Sequence, residues 1–277
     1  QTTIASFAAL AGDASSRRYY RADITGPESP ASIIIMQLPS GSALPLSSEE
    51  LAVFKEPLQE LPFLNLHCFL VRIGVRVPRL YGQSLEKGLL FLEDLGNTAR
   101  WDKVQDLPPA QVLEWYRKAI DELLLLQVRG TNQRDDFCIA FQQRFDFRLY
   151  MWEFDHFLEY GLEKPPGTTI NQTSKTELRS AFGDIARRLD GLTPCLNHRD
   201  YHSWNLMIHD DAVAVIDFQD ALLAPPQYDL ASLLNDRITD SVIQPDLEDK
   251  LVGYYIDRRV DLENQVINRD EFTELYL

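Results

Sequence analysis

The stretch from Cys195 to Asp217 constrains this chain more than any other. It reads Cys-Leu-Asn-His-Arg-Asp-Tyr-His-Ser-Trp-Asn-Leu-Met-Ile-His-Asp-Asp-Ala-Val-Ala-Val-Ile-Asp. A short apolar run leads into a loop at His198-Arg199-Asp200. Two β-prone runs, Leu206–Ile208 and Ala212–Ile216, flank a turn at His209-Asp210-Asp211, which is the pattern of a hairpin. Asn205 follows Asp200 by five residues, and Asp217 closes the second run. That interval lets the loop turn back so that Asn205 faces Asp217 across the hairpin. A carboxylate able to accept a proton then lies near a second carboxylate and an amide carbonyl. The last two are hard oxygen donors of the kind Mg²⁺ takes.

This set suits phosphoryl transfer. The reaction asks for in-line positioning, neutralisation of phosphate charge and a group that accepts the nucleophile's proton. Asp200 is assigned as that base, with Asn205 and Asp217 as Mg²⁺ ligands. His198 reads as structural, an imidazole that fixes the loop by bonding its backbone. Asp229 either caps its helix or pairs with a loop donor. His202, Glu153 and Asp220 are candidates for the acceptor side, with Asp220 equally readable as a turn residue. Arg199 receives no role. A rival reading takes His198, Asp200 and His202 as a zinc set. It lacks a fourth ligand at telling spacing.

Bulk properties narrow the partners. The chain has 277 residues, enough for one large domain or two lobes with ample core. Its 42 acidic and 27 basic residues give a net charge of −15, which argues against nucleic acid or an anionic membrane. Cys68, Cys138 and Cys195 lack metal-ligand spacing and read as free thiols of a reducing compartment. No apolar run approaches a membrane span and no signal peptide is visible, so a cytoplasmic location is expected. The ending Phe272-Thr273-Glu274-Leu275-Tyr276-Leu277 reads as the middle of an amphipathic helix, so the C-terminus is expected to be incomplete. Oligomeric state is not legible.

Strands dominate before about residue 97 and helices after it. Tyr19–Ile24 and Ser32–Leu38 read as strands, joined through turns at Gly26-Pro27 and Ser29-Pro30. Between Leu10 and Tyr19, Gly12-Asp13-Ala14-Ser15-Ser16-Arg17-Arg18 reads first as an ordinary turn with solvated arginines, and alternatively as a phosphate-facing hairpin. A Ser47–Glu50 capping box opens a helix that Pro57 ends. Pro62 opens another, which Gly74 closes. Gly88–Leu92 reads as a buried strand, turning out at Glu93-Asp94-Leu95-Gly96. A long helix after Pro108-Pro109, running to about Arg129, is expected to be capped by Gly130. Phe141–Leu162 reads as a second helix, whose Asp146, Glu153, Asp155 and His156 are candidates to face a cleft. A third runs from Lys175 to Leu189 behind a Ser174–Glu177 capping box. Helices over Tyr228–Leu234 and Asp246–Arg258 complete the pattern. The expectation is an α+β fold of two lobes: a small β-rich lobe over 1–97 and a larger helical lobe over 98–277.

The residues His198 to Asn205, with Val215-Ile216-Asp217-Phe218-Gln219-Asp220-Ala221 and Tyr228-Asp229-Leu230-Ala231, resemble the aminoglycoside phosphotransferase family of small-molecule kinases. Within that family, the run from Gly12 to Arg21, Val77-Pro78-Arg79 and Leu92 to Gly96 resemble a branch that phosphorylates amino sugars of the N-acetylmuramate/N-acetylglucosamine type at C1 in cell-wall recycling. The resemblance implies a protein-kinase-like fold, ATP and Mg²⁺ as cofactors, and a small-molecule acceptor. It implies nucleotide-binding roles for Ser15, Ser16, Arg17 and Arg18 and an adenine-binding linker at Glu93, Asp94 and Leu95. The chain departs from protein kinases in three places. Its hairpin has one Gly, Asp-Phe-Gln replaces Asp-Phe-Gly, and the strand Ile33–Leu38 carries no Lys for the phosphates. Arg17, Arg18 and Arg21 are the candidates to replace that Lys. Two alternatives stay open: the same fold acting on an aminoglycoside, choline, homoserine or another sugar, and a non-catalytic nucleotide-binding module.

Overall fold

A computed structural model describes residues 3–10, 17–39, 60–96, 104, 106–164, 170–236 and 242–276. The expected hairpin tip at Gly12–Ser16, the Ser47–Glu50 helix and the 97/98 lobe boundary lie outside these residues.

Strands β1 (Thr3–Ala9), β2 (Arg18–Thr25) and β3 (Ser32–Gln37) form an antiparallel meander, in which β2 and β3 are the two strands expected from the sequence. Helix α1 (Pro62–Ile73) follows. It has Pro in its first turn, and Gly74 at φ 86° donates its N–H to the carbonyls of Leu70 and Val71. Strands β4 (Leu80–Ser84) and β5 (Leu89–Glu93) complete a five-stranded sheet in the order β1-β2-β3-β5-β4. Register fixes which residues share a face. Arg21 pairs with Ile34 and Ile34 with Leu92; Tyr19 pairs with Met36 and Met36 with Leu90. This inner face packs on α1 and belongs to the main core with Phe63, Leu66 and Ile73. Tyr20 lies on the other face, stacked on Phe7.

The remainder is mainly helical. Helix α2 (Pro109–Leu124) buries Val112, Tyr116, Ile120 and Leu123, the predicted stripe, and continues as a π-helical turn over Leu125–Gly130. Gly130 was expected as a cap, but the helical turn runs past it. A Cβ there would lie 2.9 Å from Leu196 Cδ2 and 3.2 Å from Ile73 Cδ1, so close packing is what requires glycine. The second helical stretch starts later than Phe141. Ile139–Gln142 is a 3₁₀ turn, and α3 (Phe147–His156) begins where Asp146 accepts the Leu149 N–H. Helix α4 (Gln172–Asp190) starts earlier than Lys175. Asn171 accepts the Ser174 N–H at 2.9 Å, so it is the cap and Ser174 lies inside the helix.

Two short antiparallel pairs follow. β6 (Cys195–Asn197) pairs with β9 (Leu222–Ala224), and β7 (Leu206–His209) with β8 (Ala212–Val215). The β7–β8 hairpin was expected. The β6–β9 pair was not, because three residues give no periodicity to read. Helices α5 (Gln227–Leu234), α6 (Pro245–Glu263) and α7 (Arg269–Tyr276) close the described chain. The fold is thus α+β and two-lobed, with an antiparallel sheet set over a helical body. Among the described residues no helix is long and apolar enough to cross a membrane.

Candidate active site

Asp200 hangs from a loop tied down by buried polar groups. Just before it, Asn197 is fully buried; Gln127 Nε2 donates to its Oδ1 at 2.8 Å, and its own Nδ2 donates to the Ala224 carbonyl at 2.9 Å. Asp229, also fully buried, accepts the backbone N–H groups of His198 at 2.5 Å and Arg199 at 3.1 Å. Burial pushes the Asp229 carboxyl up to about 7, against the pull of those two donors toward the ionised form. His198 is buried, and burial pushes its imidazole pKa down. Its Nδ1 accepts the Asp200 N–H at 3.3 Å, so we assign the ring proton to Nε2, which lies 2.9 Å from the Ile216 carbonyl. Both ring nitrogens are thus committed to the backbone, and the zinc reading loses its first ligand. Tyr201 donates its hydroxyl to the Ala119 carbonyl at 2.7 Å. Arg199 stands at φ 83°, which costs a residue other than glycine roughly 1–2 kcal/mol. The many ties hold that backbone in place and leave Asp200 exposed.

Asn205 and Asp217 meet as the hairpin spacing predicts. The Ile216 N–H donates to the Asn205 carbonyl at 2.9 Å. The Asn205 Nδ2 donates to the Asp200 carbonyl at 2.9 Å, which leaves Oδ1 as the oxygen available to a metal. Asp217 lies in the left-handed region at φ 60°, which aspartate tolerates better than most residues. Behind it, Phe218 is buried and stacks on Phe63 of α1 at 4.9 Å, so the turn is anchored to the upper lobe's helix. Gln219 Nε2 donates to Asp217 Oδ1 and to Asp220 Oδ2, each at 3.0 Å. Arg17 Nη1 lies 3.3 Å from Asp217 Oδ1. A carboxylate and an amide oxygen, with room for further oxygens from water or phosphate, fit Mg²⁺.

Between sheet and hairpin lies a cleft of about 300 Å³. Ile34, Leu92 and Leu95 line it above, and Met207, Ile216 and Phe218 below, while Asn205 and Asp217 stand among its polar groups. Apolar walls with convergent polar groups suit a flat base carrying a charged tail.

Residues 6–261 match the model of the phosphotransferase enzyme family. The chain belongs to that family. It is 28% identical over 229 residues to the N-acetylmuramate/N-acetylglucosamine kinase of Pseudomonas aeruginosa, a match covering 81% of this chain and 58% of that one. The kinase of the same name from Pseudomonas putida is 30% identical over 233 residues, 83% of this chain and 60% of that one. The chain therefore spans about three fifths of the length of these relatives. In structure it is similar to a choline kinase of Streptococcus pneumoniae, with a TM-score of 0.61 at 16% identity, covering 99% of this chain and 80% of the other. That likeness establishes the protein-kinase-like fold.

Several expected site residues of this family member sit elsewhere. Arg18 has the opposite parity to Tyr19 and Arg21 on β2; it is exposed and does not line the cleft. Ser15 and Ser16 lie outside the described residues. Glu93 and Asp94 border the cleft, but their carboxylates serve the fold. Glu93 takes two bonds from Arg76 at 2.7 and 2.8 Å and the Arg79 N–H at 3.0 Å. Asp94 accepts from Arg21 at 2.8 Å, Ser32 at 2.6 Å and the Gly96 N–H at 2.9 Å. Burial works to raise the Asp94 pKa, but hydrogen bonds from Ser32 and Arg21 outweigh it, and the net shift is downward. Any contribution from this linker to a base therefore comes from its backbone and from Leu95.

On the other side of the loop, Arg199 Nη2 lies 3.4 Å from Glu153 of α3. The other polar candidates on that stretch are engaged elsewhere. Asp146 caps α3, Asp155 takes two bonds from Arg179 at 2.8 and 2.9 Å, and His156 stacks between Trp152 and Tyr160. A larger groove of about 1300 Å³ lies between α3 and α4, but its lining includes no residue of the catalytic loop. His202 lies with Nε2 3.5 Å from Asn205 Nδ2, and its Nδ1 is buried without a hydrogen-bond partner among the described residues. The sequence reading missed the supports: Gln127, Gln219 and Asp236, which accepts the Ser203 N–H at 3.0 Å. Gln219 was read only as the departure from Asp-Phe-Gly; Gln127 and Asp236 have no local motif, and a search for polar positions inside apolar stripes could have flagged Gln127.

Proposed function

We propose that this phosphotransferase moves the γ-phosphoryl group of ATP, with Mg²⁺, to the anomeric hydroxyl of an amino sugar of the N-acetylmuramate/N-acetylglucosamine type. Asp200 carries the reading. It is an exposed carboxylate on a loop fixed by buried hydrogen bonds, and its own backbone carbonyl holds Asn205 beside Asp217. The relatives named above support the acceptor, and cell-wall recycling in the cytoplasm is the setting that acceptor implies.

In this mechanism the acceptor oxygen attacks the γ-phosphorus in line. The bond from that phosphorus to the bridging oxygen breaks, and ADP leaves with its electron pair. The acceptor's proton passes to the Asp200 carboxylate as the new bond forms, a contribution of roughly 10²–10⁴-fold. Asn205 Oδ1 and the Asp217 carboxylate would hold Mg²⁺, which when bound neutralises charge on the phosphate oxygens. The Leu95 side chain and the backbone at Glu93 and Asp94 border the adenine. Glu153 and Arg199 face the acceptor beside Asp200, with His202 and Asp220 at the edges of that region. Asp229 and neutral His198 hold the loop without touching either substrate.

Phosphorus NMR of a reaction with ATP, Mg²⁺ and a panel of acceptors tests this. A new anomeric sugar-phosphate signal with N-acetylmuramate or N-acetylglucosamine is the expected result. Faster turnover of choline, homoserine or an aminoglycoside would sink the acceptor assignment while leaving the kinase chemistry standing.

A further inference from the structure

The sheet face above the cleft is nearly bare of positive charge. Its inner positions on β3 and β5 are Ile34, Met36, Leu90 and Leu92, all apolar. A triphosphate entering beside Asp217, on a chain of net charge −15, needs cations on that side. Among the described residues, the arginines on that side come from β2 and the residue preceding it. Arg21 lines the cleft, but its guanidinium is taken up by Asp94, at 2.8 Å through Nη2 and 2.6 Å through Nε, and the Asp94 side chain is only 7% exposed. Arg18 has the wrong parity. Arg17 shares the parity of Tyr19 and Arg21, and its side chain is only 12% exposed. It lies 3.3 Å from Asp217 Oδ1.

We propose that Arg17 is the phosphate-binding cation of the upper lobe, taking the place of a strand lysine, and that without nucleotide it occupies the carboxylate of a metal ligand. This rests on the kinase reading above. In the structure the Arg17 guanidinium lies against the Asp217 carboxylate. When Asp217 turns to a metal, Arg17 moves to the phosphate oxygens, for which its planar fork of donors is suited. Arg17 therefore competes with the bare metal ion but cooperates with the nucleotide. A residue with a merely structural role would not act with opposite sign on the two ligands.

The experiment measures two constants on the full chain. One is the affinity of a fluorescent ATP analogue with Mg²⁺ present. The other is the affinity of Mn²⁺ alone, read by electron paramagnetic resonance. Arg17→Ala is expected to weaken the nucleotide about tenfold or more, on the scale of losing charge-assisted hydrogen bonds. The same change is expected to tighten Mn²⁺ by about two- to fivefold, the worth of a half-exposed ion pair. Arg17→Lys recovers part of the nucleotide affinity. Arg17→Gln provides a second variant of similar size should the alanine form melt early. Both constants within twofold of wild type in R17A, both weakened together, or an equal loss of nucleotide affinity in Arg18→Ala would overturn the assignment. A wild-type chain that binds no nucleotide would instead overturn the kinase reading itself.

Discussion

The catalytic loop and the sheet above it hold their functional side chains in different ways. Asp200 follows a backbone tied to Asp229, His198 and Asn205, while Asn197 and Tyr201 on either side of it are buried and hydrogen-bonded. Arg17 instead precedes a strand whose outer neighbour, β1, is exposed along its whole length. The floor's ties run through fully buried groups; the roof's run through ion pairs at its margin, Arg21–Asp94 and Arg76–Glu93. A proton acceptor must be held to within a fraction of an ångström, and the floor provides that. Groups that close on a nucleotide must also let it leave, and a roof joined by marginal contacts permits that.

The contrast can be broken at either side. The largest effect is expected at the point where the two meet. Asp217→Ala removes the proposed metal ligand and the partner of Arg17, and kcat should fall by about 10²-fold or more, the scale of losing a preorganised electrostatic group. Titrating Mg²⁺ in a coupled ADP assay checks it: the loss should not be recovered at any metal concentration.

Next comes Asp229→Ala. It leaves the N–H groups of His198 and Arg199 buried without their acceptor, at about 1–3 kcal/mol each, and should lower both stability and kcat while nucleotide affinity changes little. Denaturant unfolding together with nucleotide titration separates the two. If nucleotide affinity fell as far as kcat, floor and roof would be one mechanical unit.

Gly130→Ala tests the floor from beneath. Its Cβ would press on Leu196, three residues before Arg199, and about 1–3 kcal/mol of stability should be lost to overpacking. Thermal melting reads it.

The positions of these elements were unevenly legible in the sequence. Helix α1 could be read to the residue, because Pro62 and Gly74 act through backbone geometry that a sequence displays directly. The Asp200–Asn205–Asp217 spacing was legible for a similar reason, since a hairpin's turn and alternation are local. Gly130 was misread because its reason is a neighbour far along the chain, Leu196. The resemblance gave Arg18 a nucleotide-binding role; its place off the cleft follows from strand parity, and the face that parity selects is set by β2's partners rather than by β2 itself. The Asn171 cap was missed in favour of Ser174, since two acceptors in one loop compete and only the backbone's path decides.

A smaller effect is expected from the pH dependence of the floor. The Asp229 carboxyl is raised in the folded state from 3.8 to about 7, so between those values the folded chain holds a proton that the unfolded chain has lost. Stability from this group is therefore present below about pH 4 and lost as pH rises toward 7. His198, pushed down by burial, acts in the opposite direction, because the unfolded chain gains its proton first as pH falls. The difference in unfolding free energy between wild type and Asp229→Asn, measured from pH 4 to 8, isolates the carboxyl. It should move against wild type as pH rises and level off above about 7. A flat difference would mean that Asp229 is ionised throughout.

The central claim is that Asp200 accepts the proton and takes no part in holding the nucleotide. Phosphoryl transfer from ATP to N-acetylmuramate, measured in a single turnover with Asp200→Asn, tests it most directly when nucleotide affinity is read on the same sample. The account predicts a fall of about 10²-fold or more in transfer with nucleotide affinity unchanged within about twofold. Full-rate transfer by Asp200→Asn would contradict it.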